Sequence, residues 1–109
     1  MKTQPDTLQG TLDLLVLKTL QRGANHGFGI TQHIQTASEG LLRVEEGSLY
    51  PALHRLEREK LVQGRWKITE NCRRARYYAL TAKGARRLSE AEESWNVLMT
   101  SVGRILRYV

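Results

Sequence analysis

Apolar residues along this chain follow two rhythms. From Leu8 to Leu20 they recur every three or four positions, which predicts a helix. Leu8, Leu12, Leu15, Val16 and Leu20 make one face, and Leu14 and Leu17 lie roughly opposite. Apolar residues on both sides call for two packing partners, the domain's own core and a further element such as a second subunit. Arg22-Gly23 closes the helix, with glycine as the left-handed C-terminal residue, and the residues up to Thr7 read as an arm. A second helix is expected from His26 to about Ser38, where Ile30, Ile34 and Ala37 keep helical spacing and Phe28 anchors the start. Gly27 and Gly29 each weaken helix propensity by roughly 1 kcal/mol, which points to close packing or a tight entry, or else to a frayed first turn. His26 and His33 read as packing or surface residues. Ser38-Glu39-Gly40 is a turn, and Leu42-Arg43-Val44 a candidate short strand.

The stretch Gly47–Leu61 predicts a third helix with two unlike faces. Leu49, Leu53, Leu56 and the Lys60 stem fall on one side, with Ala52 at its border; Tyr50, Pro51, His54, Arg55 and Arg58 fall on the other. Ser48 is the expected N-cap and Pro51 then lies in the first turn, while Glu45 and Glu46 suit the positive end of the dipole. An aromatic hydroxyl, an imidazole and two guanidiniums suit base edges and phosphates. An ordinary amphipathic helix with a solvated basic face has the same pattern.

After Leu61 the period changes to two. Val62, Gly64, Trp66 and Ile68 alternate with Gln63, Arg65 and Lys67; Thr69-Glu70-Asn71-Cys72 is a polar turn. From Arg74 to Leu80, Arg74, Arg76, Tyr78 and Leu80 share one face, and Ala75, Tyr77 and Ala79 the other. Two such runs predict a β-hairpin with guanidiniums near its tip at Arg73, Arg74 and Arg76. Those arginines either meet a polyanion or only blunt a sheet edge. Thr81 then caps a last helix with Gly84 in its first turn. Along that helix Leu88, Ala91, Trp95, Leu98, Val102, Ile105 and Val109 are spaced alternately by three and four, a heptad stripe that Met99 and Leu106 widen. The expected partner for Leu88, Trp95, Leu98, Val102 and Ile105 is a second copy of the chain, with Leu14 and Leu17 in the same interface; a helix folded back on its own domain is the alternative.

The predicted class is mainly α with a small β-hairpin: a winged helix-turn-helix plus a long C-terminal dimerisation helix. Residues 1–81 make the DNA-binding unit and 82–109 the dimerisation helix, within one structural unit. Charge sharpens this picture. The net charge is +6, and residues 54–87 alone hold eleven basic and three acidic residues, so the excess is focused on the third helix and the hairpin. A focused excess implies a nucleic acid or an acidic membrane surface. A membrane surface needs the basic residues along one helix with an exposed apolar face, whereas many of them here lie on the hairpin. No apolar run is long enough to span a bilayer and the N-terminus lacks a signal-peptide core, so a cytoplasmic location without membrane attachment is expected.

Enzyme chemistry finds no support: there are no usefully spaced carboxylate pairs, no nucleophile beside a base and no phosphate-cradling loop. One cysteine and three scattered histidines offer no metal site, and no cofactor is implied. Cys72 lies next to Arg73 and Arg74, so it is either a redox switch on the wing or a stray thiol.

The segments GTLDLLVLKTL at 10–20, HGFGI at 26–30, VEEGSLYPALHRLE at 44–57 and RRARYYALTAKG at 73–84 stand in this order before a single C-terminal helix. In that combination, over nearly the whole length, the chain resembles PadR-type transcriptional regulators of the short-tailed subtype. The resemblance implies a repressor that binds a palindromic double-stranded DNA operator as a homodimer and releases it on an effector signal. It places Ser48, Tyr50 and His54 at the DNA, and the wing residues Arg73, Arg74 and Arg76 with them. It also implies a small aromatic effector stacked on Trp95 at the dimer centre; position alone makes Trp95 a residue of the apolar stripe. A winged-helix protein-interaction adaptor that binds no DNA is the reading from a different class.

Overall fold

The computed structural model describes residues 6–108, with side chains from residue 10 onward. Of the expected arm through Thr7, residues 1–5 lie outside that description, as does the packing of Leu8 and Val109, while Asp6 and Thr7 already belong to the first helix. Helix α1 (Asp6–Gln21) is followed by a short strand β1 (Asn25–His26), α2 (Gly27–Ala37), α3 (Glu46–Arg58), a hairpin of β2 (Val62–Ile68) and β3 (Arg74–Leu80), and the long α4 (Ala82–Arg107). The architecture is the expected winged helix-turn-helix with a long last helix. The sheet is antiparallel in the order β1-β3-β2.

The core lies where α1, α2, α3 and the inner half of the hairpin meet. Val16, Leu17 and Leu20 pack with Ile30 and Ile34, with Leu49, Leu53 and Leu56, and with Leu61, Val62, Tyr78 and Leu88. The second half of α1 is apolar on more than one side because the chain itself surrounds it, with Lys18 and Gln21 left exposed. Leu17 is only 1 % exposed, so it has no surface for a partner subunit, contrary to the sequence-based expectation. Leu88 is equally buried and joins the base of α4 to the core, which also takes it out of any subunit interface. Leu12, Leu14 and Leu15, further toward the start of α1, are half-buried against the core and keep some apolar surface.

Local capping explains several boundaries. His26 is extended and its Nδ1 accepts from the Gly29 N–H at 3.0 Å, so this histidine is the N-cap of α2. Phe28 does not anchor that start; it points outward. Thr81 caps α4 by accepting from the Gly84 N–H at 2.9 Å, and its hydroxyl donates back to the Lys60 carbonyl at 2.7 Å. Helix α3 begins two residues before the expected cap. Glu45 is the extended residue, and its carbonyl accepts from the N–H groups of both Ser48 and Leu49 at 3.0 Å. Ser48 is therefore inside the first turn rather than its cap, and Pro51 sits deeper in the helix than the first turn. At the other end Lys60 has φ 65°, its N–H donating to Glu57 and that of Leu61 to Leu56. This pattern reverses the chain into β2 and leaves Lys60 outside the apolar stripe. Residues 42–45 are irregular instead of a strand; the open edge of β3 pairs with Asn25 and His26.

Candidate nucleic-acid interface

Helix α3 presents its two faces as the spacing predicts. Leu49, Ala52, Leu53 and Leu56 are buried, and Ser48, Tyr50, Pro51, His54 and Arg58 are exposed. Tyr50, His54 and Arg58 follow one another at intervals of four, so they form a single stripe along the helix. Tyr50 is partly anchored. A methyl group at Gly27 would stand 2.5 Å from the Tyr50 hydroxyl, so the glycine lets the ring cross the start of α2. The two segments HGFGI and GSLYP thus interlock, which fixes the angle between the bracing helix and the exposed stripe. This is the close packing that one reading of Gly27 required.

Arg55 departs from the expected DNA-facing set. Its Nη2 donates to Asp13 Oδ1 at 2.7 Å, tying α3 to α1. Burial holds the Asp13 carboxyl above its ordinary value, and the Arg55 charge opposes that rise. Arg55 is a partly buried structural cation. Arg76 departs in the same way. Its Nη2 donates to Glu57 Oε2 at 2.6 Å, a bond that holds the guanidinium above its ordinary range. Gly64, opposite Tyr78 in the ladder, makes room for it, since a methyl there would meet Arg76 Nε at 2.7 Å. The bridge from β3 to α3 fixes the wing beside the exposed helix.

The hairpin joins the two predicted runs, and in it Val62 faces Leu80, Gly64 faces Tyr78, Trp66 faces Arg76 and Ile68 faces Arg74. Its turn is tight. The Thr69 N–H donates to the Arg73 carbonyl at 2.7 Å, the Cys72 N–H to the Thr69 carbonyl at 2.9 Å, and Cys72 takes φ 60°. Arg73 and Arg74 stand exposed at this tip, and Arg65 and Lys67 are exposed along β2. Lys83 and Arg87 at the start of α4 instead turn to Glu59, at 3.1 Å from its carbonyl and 3.6 Å from its carboxylate. The focused charge of the sequence therefore divides. Arg55, Arg76, Lys83 and Arg87 brace elements, while Arg58, Arg65, Lys67, Arg73 and Arg74 face solvent.

Trp66, which sequence reasoning assigned only to a strand face, is 56 % exposed on the same wing, with the Arg74 guanidinium carbon 4.6 Å from its ring centroid. On α4, Trp95, Leu98, Val102 and Ile105 are exposed along the heptad stripe, together with Met99 and Leu106. No described helix is long and apolar enough to cross a membrane, and the described residues hold no cluster of metal-ligating side chains.

Comparison with known proteins gives a consistent picture. A profile of the transcriptional regulator PadR-like family matches residues 16–90. A PadR family transcriptional regulator from Eggerthella lenta is 34 % identical, covers 94 % of this chain and 88 % of its own, and superposes with a TM-score of 0.78. A PadR-like transcriptional regulator from Bacillus cereus is 28 % identical over 96 % of this chain and all of its own (100 %), with a TM-score of 0.80. A transcriptional regulator from Clostridium thermocellum, 24 % identical, shares the fold over 97 % of this chain and 100 % of its own at a TM-score of 0.84.

Proposed function

This chain belongs to the PadR-like family of transcriptional regulators, which are not enzymes, and we propose that it binds a palindromic DNA operator as a homodimer and represses transcription until an effector releases it. The observation that supports DNA binding best is the pairing of an exposed Tyr50–His54–Arg58 stripe with a cationic wing fixed beside it by Arg76 and Glu57. In a helix-turn-helix the later helix enters the major groove while earlier elements brace the backbone. Tyr50 and His54 then read base edges, Ser48 and Arg58 approach the adjoining backbone, and Arg73 and Arg74 neutralise phosphates from the wing. In this reading 1–81 is the reading unit and 82–109 the pairing part, and the burial of Leu88 in the core supports treating them as one structural unit. Leu14 and the stripe Trp95, Leu98, Val102 and Ile105 supply the subunit contact. Such a regulator acts in the cytoplasm.

The test is binding to the region upstream of the protein's own gene, measured as a function of salt. Arg73→Ala and Arg74→Ala should each weaken binding to every sequence and lower the slope of log K against log salt by roughly 0.9. Tyr50→Ala should act on sequence preference and leave the slope unchanged. Absence of binding to any DNA at low salt rejects the reading in favour of a protein-interaction adaptor.

A small planar aromatic effector is proposed to stack on Trp95, which is exposed on α4 at the N-terminal end of the pairing stripe. Trp66 is the chain's other tryptophan. Quenching by planar aromatic compounds should therefore persist in Trp66→Phe and vanish in Trp95→Phe with the dimer intact. A broad panel without quenching of Trp95 sinks the idea.

A further inference from the structure

Val62, Gly64, Trp66 and Ile68 share one face of β2, but that face does not stay under cover. Val62 is buried in the core, whereas Trp66 is 56 % and Ile68 65 % exposed, so the apolar side of the strand runs out past the domain toward the wing tip. Two guanidiniums lie over the exposed indole, Arg74 at 4.6 Å and Arg76 at 5.7 Å from its centroid. Their circumstances differ. Arg76 gives its charge to Glu57, while Arg74 stands exposed across the ladder from Ile68. A guanidinium on an aromatic face keeps its N–H edge for an acceptor and loses some of its rotameric freedom before any ligand arrives.

We propose that Trp66 and Arg74 form a backbone clamp on the wing, in which the indole holds the Arg74 guanidinium ready for one DNA phosphate and lies against the deoxyribose beside it. Two features of the surface select this occupant. The hairpin is cationic, with Arg65, Lys67, Arg73 and Arg74 exposed against Glu70, so the partner is a polyanion. On the face that carries Trp66 and Ile68, both exposed, the free cation is Arg74, so the partner also has an apolar surface beside its charge. The sugar–phosphate backbone offers both. Trp66 is accordingly a positioning residue for Arg74 as well as a contact, and this role rests on the DNA-binding reading above.

The decisive property is that Trp66 carries no charge yet controls a charge contact. On a DNA fragment that the parent protein binds, Trp66→Ala should weaken binding about tenfold. It should also lower the slope of log K against log salt by nearly as much as Arg74→Ala, roughly 0.9. The double variant should bind within about twofold of Arg74→Ala alone, because both substitutions undo one contact. Trp66→Phe should restore most of the slope, and Trp66→Leu, which keeps apolar bulk without an aromatic face, should not. Thermal melting of Trp66→Leu guards against a loss of fold. A parent-like slope in folded Trp66→Ala or Trp66→Leu, or full additivity with Arg74→Ala, overturns the clamp while leaving DNA binding in place. A parent protein that binds no DNA at low salt overturns the DNA-binding reading and the clamp together.

Discussion

Leu98→Glu combined with Ile105→Glu should yield a folded monomer whose operator affinity is lower by roughly 100-fold or more. The expectation follows from how α4 is anchored. Its first half is held by buried Leu88 and by the Lys18–Glu92 pair at 3.0 Å, whereas Leu98 and Ile105 touch solvent in the single chain, Ile105 at 74 % exposure. The helix is 26 residues long, about 39 Å at 1.5 Å per residue, and most of its apolar stripe lies beyond the anchored part. Glutamate keeps helix propensity, so the substitutions remove the proposed contact without unwinding the helix. A single copy then engages one half-site, and the gain from holding two half-sites at once disappears. Sedimentation velocity reports the mass, and fluorescence anisotropy on operator DNA the affinity. A double variant that sediments as the parent does would reject this interface. Leu88→Glu serves as the contrasting case: it places a carboxylate in the core and should unfold the chain rather than split a dimer.

Local periodicity made much of this architecture readable. The two strands of the hairpin, the Thr81 cap, the course of α2 and both faces of α3 follow from spacing and turn residues, because each depends on neighbours within a few positions. What spacing misses is set from a distance. Arg55 and Asp13 are 42 residues apart and Arg76 and Glu57 are 19 apart, so nothing local shows that these two cations are already taken. Leu17 looks like an outward leucine on a helical wheel, yet α1 is wrapped on several sides by its own domain. A two-residue strand at Asn25–His26 has no periodicity to display. Trp66 is the reverse case. Alternation puts it on one face of β2 with Val62, but the length of the hairpin carries that face beyond the core.

Adjacent residues on α3 provide the sharpest separation of fold from recognition. Leu53 is 0 % exposed beneath the helix, in the middle of the α1, α2 and hairpin contacts, while His54 stands in the outward stripe between Tyr50 and Arg58. Leu53→Ala should destabilise the chain by about 3 kcal/mol, the usual cost of removing a fully buried leucine together with the cavity it leaves. In a domain of this size that lowers Tm by on the order of 10–20 °C. The surviving folded fraction should keep its sequence preference, because the outward face of α3 is unaltered. His54→Ala should do the opposite. Stability should change by less than about 0.5 kcal/mol, as for other exposed substitutions, while discrimination at the contacted base pair falls by about 1–3 kcal/mol. Circular dichroism melts and binding selection on random DNA measure the two effects independently. An unchanged base preference in His54→Ala, with the parent's melting curve, would remove His54 from the reading face and leave Tyr50 and Arg58 to carry the specificity of the stripe.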